Sequence, residues 1–181
     1  MGGNSVKKRG FEVISTYTHQ NINLPQRATH HAAGYDFEAA EDIVIPSIWK
    51  AGLKQGLTAV TEALKNEEMR AEEKKIKPVL VPTGIKAYMG EEEFLQLANR
   101  SSNPLKRFLV LSNGIGVIDS DYYNNEANEG HIMFQFTNFG FKDVQIKKGE
   151  RIGQGIFLPF LKADQDQTAK ERIGGFGSSN S

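Results

Sequence analysis

A chain of 181 residues is within the usual size of one domain and is long enough to bury a core. Its 22 Lys and Arg balance 22 Asp and Glu, so there is no net field to hold a polyanion such as DNA, and any phosphate binding has to be local. Cysteine is absent, which excludes a disulfide framework, a thiol nucleophile and zinc sites of the cysteine type; nowhere do about 18 apolar residues run together as a membrane span would need.

The first residues, MGGNSVKKRG, read as a loose end with no apolar segment of secretory length behind their basic charges, in keeping with a soluble, cytoplasmic protein. Short β-strands then follow, rich in β-branched and aromatic residues and cut by Gly, Pro, Asn and Asp: FEVIS (11–15), DIVIP (42–46), VLVPTGIKAYM (79–89), RFLVLSNGIGVID (107–119), HIMFQFTNF (131–139), DVQIKK (143–148) and RIGQGIFLPF (151–160). Their spacing predicts an all-β sandwich or barrel. PTG at 82–84 predicts a tight turn, and IKKGER predicts a hairpin turning at Gly149.

One block departs from this pattern. Between residues 47 and 77, Leu53, Leu57, Val60 and Leu64 recur at spacings of four, three and four, which predicts a helical insertion whose charged second half is solvated. It reads either as a surface elaboration packing one stripe on the β domain or as an added surface for a protein partner. The tail, ADQDQTAKERIGGFGSSNS, is polar and then glycine-rich, and its composition predicts a mobile arm. The expected organisation is a β domain over 1–163, carrying the insertion at 47–77, and an arm over 164–181.

Three stretches have residue types suited to phosphate chemistry. In GVIDSDYY, Asp119 and Asp121 share a face if the strand continues, and they satisfy backbone amides if it turns; a strand-end carboxylate beside an apolar approach suits a general base acting on water. NRSSNP (99–104) is either an ordinary serine turn or a forked cation with hydroxyl and amide donors for one phosphate group. GGFGSS (174–179) lets backbone amides approach phosphates but lacks the Gly-Lys-Ser/Thr ending of a Walker loop. His19, His30, His31 and His131 have no zinc spacing.

HHAAGYDFEAAED, NRSSNPLKR, SNGIGVIDSDYY, GERIGQGIFLP and RIGGFGSS together resemble, in order and approximate spacing, the five motifs of the homotrimeric dUTPase family. Phrases such as RSSNPLK and KKGERIGQGIFLPFLKAD look like those of dUTPases from phages and prophages of Gram-positive bacteria, which would place the protein in the host cytoplasm. The resemblance implies a β jelly roll, a homotrimer whose subunits share each active site, and hydrolysis of dUTP to dUMP and pyrophosphate with Mg2+ on the triphosphate.

Residue by residue, the resemblance implies that Asp119 activates the attacking water and that Tyr122 packs on the deoxyribose, leaving no room for a 2′-hydroxyl. Asn113 and the backbone of Gly116, Val117 and Ile118 would form a β-hairpin reading uracil, with Met133 lining that pocket. Arg100, Ser101, Ser102 and Gln154 would hold the phosphates. Asp36 would support the metal through water or a neighbouring arginine, with no direct protein ligand. In the arm, Phe176 would stack on uracil, with Arg172, Gly177 and Ser178 at the γ-phosphate. Two features depart from the family pattern: Arg172 stands two residues before Gly174 where three is frequent, and YYNNEANEGH is longer than the usual turn. A dCTP deaminase shares the fold, but the intact NGIGVIDSDYY argues for the dUTPase.

Overall fold

The computed structural model describes residues 7–50, 52–53 and 77–168. Twelve strands dominate them: β1 Gly10–Val13, β2 Gln26–Arg27, β3 Tyr35–Glu38, β4 Ile43–Ile45, β5 Val79–Pro82, β6 Ile85–Tyr88, β7 Glu93–Asn99, β8 Leu109–Leu111, β9 Gly116–Asp119, β10 Met133–Asn138, β11 Val144–Ile146 and β12 Arg151–Pro159. The largest sheet has the order β2-β3-β12-β7-β9, and β5-β10-β8, β1-β6 and β11-β4 form three smaller ones. The all-β expectation is borne out. No helix among the described residues is long and apolar enough to cross a membrane.

The core forms where the inward faces meet. On β10, Phe134, Phe136 and Asn138 are buried while Met133, Gln135 and Thr137 alternate outward, the period of two that a half-buried strand requires. Phe37, Leu95, Leu97, Leu109, Ile132, Ile146 and Ile152 join this cluster at 3% exposure or less. Asn138 is buried among them without being orphaned: its Nδ2 donates to the carbonyls of Ile45 at 3.0 Å and Lys142 at 2.9 Å, and its Oδ1 accepts the Gly140 N–H at 2.9 Å. Such satisfaction is what makes a buried amide affordable.

Two expected hairpins and one expected tight turn act as corners between sheets. Gly149 does turn the chain, with φ +79°, but β11 pairs with β4 and β12 with β3 and β7. Gly84, at φ +70°, passes the chain from the sheet of β5 to that of β6. Likewise β8 pairs with β10 and β9 with β7, so Gly116–Ile118 belongs to a different sheet from the strand before it and is no paired hairpin arm. A turn motif specifies a local reversal, while the partner of each strand is chosen by which apolar face it can bury.

Strand β7 of the large sheet carries no clear sequence signal. Glu93–Asn99 is built largely from Glu, Leu, Gln and Ala, which favour helices intrinsically, yet Leu95 and Leu97 point inward and the strand pairs along seven positions with β12. Packing overrides propensity here. The segment after β4 does begin as a helix: Ile48–Lys50 is helical, with Ser47 N–H donating to Asp143 Oδ1 at 3.0 Å and Trp49 Nε1 donating to the Phe139 carbonyl at 2.9 Å. Leu53 is exposed, and Leu57, Val60 and Leu64 lie outside the described residues.

Candidate active site

The sequence RIGQG places Gln154 between two glycines on the central strand β12, and each glycine has a steric reason. A Cβ on Gly153 would run into the Phe134 ring, and one on Gly155 would stand 2.7 Å from Cε2 of Phe37. The core rings therefore press directly on the strand backbone, and Gln154 projects from the opposite face. There it registers with Asp36 of β3 on one side and Ala98 of β7 on the other. Gly34 also lies against it, since a Cβ there would meet the Gln154 amide.

Charge gathers at this end of the sheet. Asp36 Oδ2 accepts from Arg151 Nη1 at 3.1 Å, and its Oδ1 lies 3.9 Å from Arg100 Nε. Arg100 Nη1 in turn donates to the Arg151 carbonyl at 2.9 Å, so the two guanidinium groups flank one carboxylate. Behind Arg100 the chain enters the helix Ser102–Arg107, and NRSSNP thus turns into a helix where the sequence suggested a plain turn. Buried Asn103 locks the junction, its Nδ2 donating to Asn99 Oδ1 and to the Ile152 carbonyl, each at 2.8 Å. Ser101 is exposed and Ser102 half-buried beside it. Gln26, Arg27, Asp36, Glu38 and Arg151 line a neighbouring surface cavity of about 410 Å³. No sequence motif singles out Arg151, which stands two residues after the turning Gly149 and meets the Asp36 carboxylate of the adjacent β3.

The second group lies at the other end. Asp119, the half-buried last residue of β9, stands opposite Phe94 of β7, and the chain then makes a 3₁₀ turn over Ser120–Tyr122. Exposed Asp121 belongs to that turn, whereas Tyr122 is buried at 5% exposure, its hydroxyl donating to the His131 carbonyl at 3.1 Å. Met133 opens β10 opposite Pro82, and Asn113 lies in the exposed turn before β9, where Gly114 takes φ +71°. Arg172, Phe176, Gly177 and Ser178 lie outside the described residues.

His131 fixes the corner beneath this group. Its buried Nε2 accepts the Gly84 N–H at 2.9 Å, a bond that requires that nitrogen to be unprotonated. Burial pushes its pKa below the usual 6.5, against the opposing pull of Glu41 and Glu129. A depressed histidine pKa means that the unfolded chain binds the proton more readily. Its contribution to stability is therefore complete above the ordinary value and is lost as pH falls through the folded one. The melting temperature should drop as pH falls below the ordinary histidine value of 6.5, and His131→Gln should flatten that part of the profile; an unchanged slope in thermal melts would count against this assignment.

Asp119 and Arg100 are far apart within one chain. Asp119 is opposite Phe94, and Arg100 follows six residues later along β7, roughly 20 Å away at the rise of an extended strand. Among the described residues no three His, Asp or Glu side chains group to hold a metal, and both oxygens of Asp36 face arginines.

The fold is that of a nucleotide-hydrolysing β protein with known relatives. The crystal structure of dUTPase from Streptococcus mutans matches with a TM-score of 0.67 and 45% identity, over 86% of this chain and 98% of that one. A mutant dUTPase from phage phi11 of S. aureus, described as coordinating a structural Mg(II) ion, shares the fold at 16% identity with a TM-score of 0.60, over 91% of this chain and 98% of that one. The deoxyuridine 5′-triphosphate nucleotidohydrolase of Lactococcus lactis subsp. lactis (strain IL1403) is 47% identical over 175 residues, 96% of this chain and 98% of the relative. With residues 64–180 also matching the dUTPase family model, the chain belongs to the dUTPase family.

Proposed function

We propose that the protein hydrolyses dUTP, supplied as its magnesium complex, to dUMP and pyrophosphate in the cytoplasm, at sites assembled between the subunits of a homotrimer. The observation that carries the shared site is the separation of Asp119 from Arg100 along β7. A base that activates water at the α-phosphorus and an arginine that holds the adjoining phosphates have to meet on one small substrate, and a rigid strand keeps them apart within one chain. Residues from neighbouring copies bring the two ends together.

In this reading Asp119 accepts a proton from water as the water oxygen bonds to the α-phosphorus. The bond from that phosphorus to the α,β-bridging oxygen breaks, and the electron pair leaves with pyrophosphate. Arg100, the Ser101 and Ser102 donors and Gln154 hold the phosphate oxygens, while the arginines around Asp36 set that carboxylate to act through water or through them. Magnesium, when bound to the triphosphate, neutralises phosphate charge. Backbone groups of Gly116, Val117 and Ile118, with Asn113 and Met133, complement the uracil edge, and Tyr122 forms the floor under the deoxyribose. Arg172, Phe176, Gly177 and Ser178 of the arm close the site, excluding stray water.

The test follows pyrophosphate and ammonia separately with Mg2+ and dUTP, dTTP, dCTP or UTP. Pyrophosphate from dUTP alone is the expected result. Ammonia from dCTP would move the reading to a deaminase of the same fold.

A further inference from the structure

The loop after Tyr122 closes back onto the tyrosine it follows. Asn125 Nδ2 donates to the Tyr122 backbone carbonyl and to Asn128 Oδ1, both at 2.8 Å, while Asn125 Oδ1 accepts the N–H groups of Ala127 at 3.0 Å and Asn128 at 3.2 Å. Asn128 Oδ1 also accepts the Gly130 N–H at 3.1 Å. With two donors facing its oxygen, the Asn128 amide has a single satisfied orientation, in which Nδ2 donates to the Tyr122 phenol oxygen at 2.8 Å. The phenol O–H in turn donates a hydrogen bond to the His131 carbonyl at 3.1 Å. Gly130, at φ +81°, completes the wrap, since a Cβ there would stand 2.5 Å from the Tyr122 carbonyl oxygen. The far side of the loop is tied down by Lys86 Nζ, which donates to Asn124 Oδ1 at 2.6 Å, and by the Ser15 N–H, which donates to Glu129 at 3.1 Å.

We propose that Asn128 is a positioning residue for sugar selection. A tyrosine ring swings about two torsions, and a bond to its para oxygen removes that freedom at the end farthest from the backbone. By holding the phenol from the loop side, Asn128 fixes the height of the ring beneath the sugar and thereby the space left for a 2′-hydroxyl. The proposal rests on the reading of Tyr122 as the floor under the deoxyribose. The length of YYNNEANEGH acquires a use, because the stretch contains both asparagines.

The experiment measures kcat and KM for dUTP and for UTP with the full chain and Mg2+. Asn128→Ala should lower the dUTP-over-UTP ratio of kcat/KM about tenfold, the scale of one lost buried hydrogen bond, with the change falling mainly on KM for UTP. Tyr122→Phe should reproduce that loss, and the double variant should add nothing to it, the coupling that a shared bond imposes. Additive losses, or an unchanged ratio in Asn128→Ala while Tyr122→Ala collapses it, would overturn the proposal alone. A ratio unmoved by Tyr122→Ala would overturn the reading of Tyr122 and the proposal with it. Asn128→Asp keeps the oxygen for Asn125 and Gly130 while removing the donor, and supports the same measurement if Asn128→Ala does not fold.

Discussion

Asp119→Asn should bind dUTP and fold normally while losing about 10²- to 10⁴-fold in kcat, the usual contribution of a positioned base. The substitution keeps the shape of a strand-end side chain opposite Phe94 and removes only the proton acceptor. Calorimetric titration with dUTP and a pyrophosphate assay on the same preparation separate the two effects, and normal turnover would remove Asp119 from the mechanism. The same variant also tests where the site lies. Mixed with Arg100→Ala, each form inactive alone, it should regain activity after the subunits are dissociated and reassembled together, because some sites then receive Asp119 from one copy and Arg100 from another. If every residue of a site came from one chain, mixing would restore nothing. The outcome thus turns the strand separation into a yes-or-no measurement.

Gly153→Ala should destabilise the protein by about 3 kcal/mol, at the upper end of overpacking effects, because the added methyl has nowhere to go. Phe134 is 1% exposed and packs on Phe37 with ring centroids 5.6 Å apart, so the Phe134 ring yields only by displacing a second one. For a chain of this size that loss corresponds to a fall of roughly 6–12 °C in melting temperature, compared at one protein concentration since assembly adds to apparent stability. The damage should reach the site as well, because the neighbouring Ile152 carbonyl receives the Asn103 bond that seats the Arg100 junction. Adding Phe134→Leu should recover part of the loss by opening space. A double variant no more stable than Gly153→Ala would show that the collision is not the cause.

These two predictions draw on different levels of information. The ordered motifs around Asp36, Arg100, Asp119 and Gln154 were visible as residues, because their side-chain chemistry is uncommon in that combination. Arg151 was not visible as a partner of Asp36, since an exposed arginine at the start of a strand has no signature until β3 is laid beside β12. Strand β7 was overlooked for a related reason: its composition favours a helix, and only the burial of Leu95 and Leu97 between neighbouring strands makes it extended.

By itself the sequence determined the all-β class, the turns at Gly84 and Gly149, the start of the helix after β4 and the residues suited to binding phosphate and activating water. Those follow from properties local to a few residues: alternation, positive φ, hydrogen-bonding groups and charge. Tertiary structure alone decided which strands pair, which turns act as corners between sheets, and that Asp119 stands beside the start of β7 while Arg100 follows its end. Pairing depends on which distant apolar faces can be buried together, and distance depends on register; neither quantity is written in any short stretch of chain.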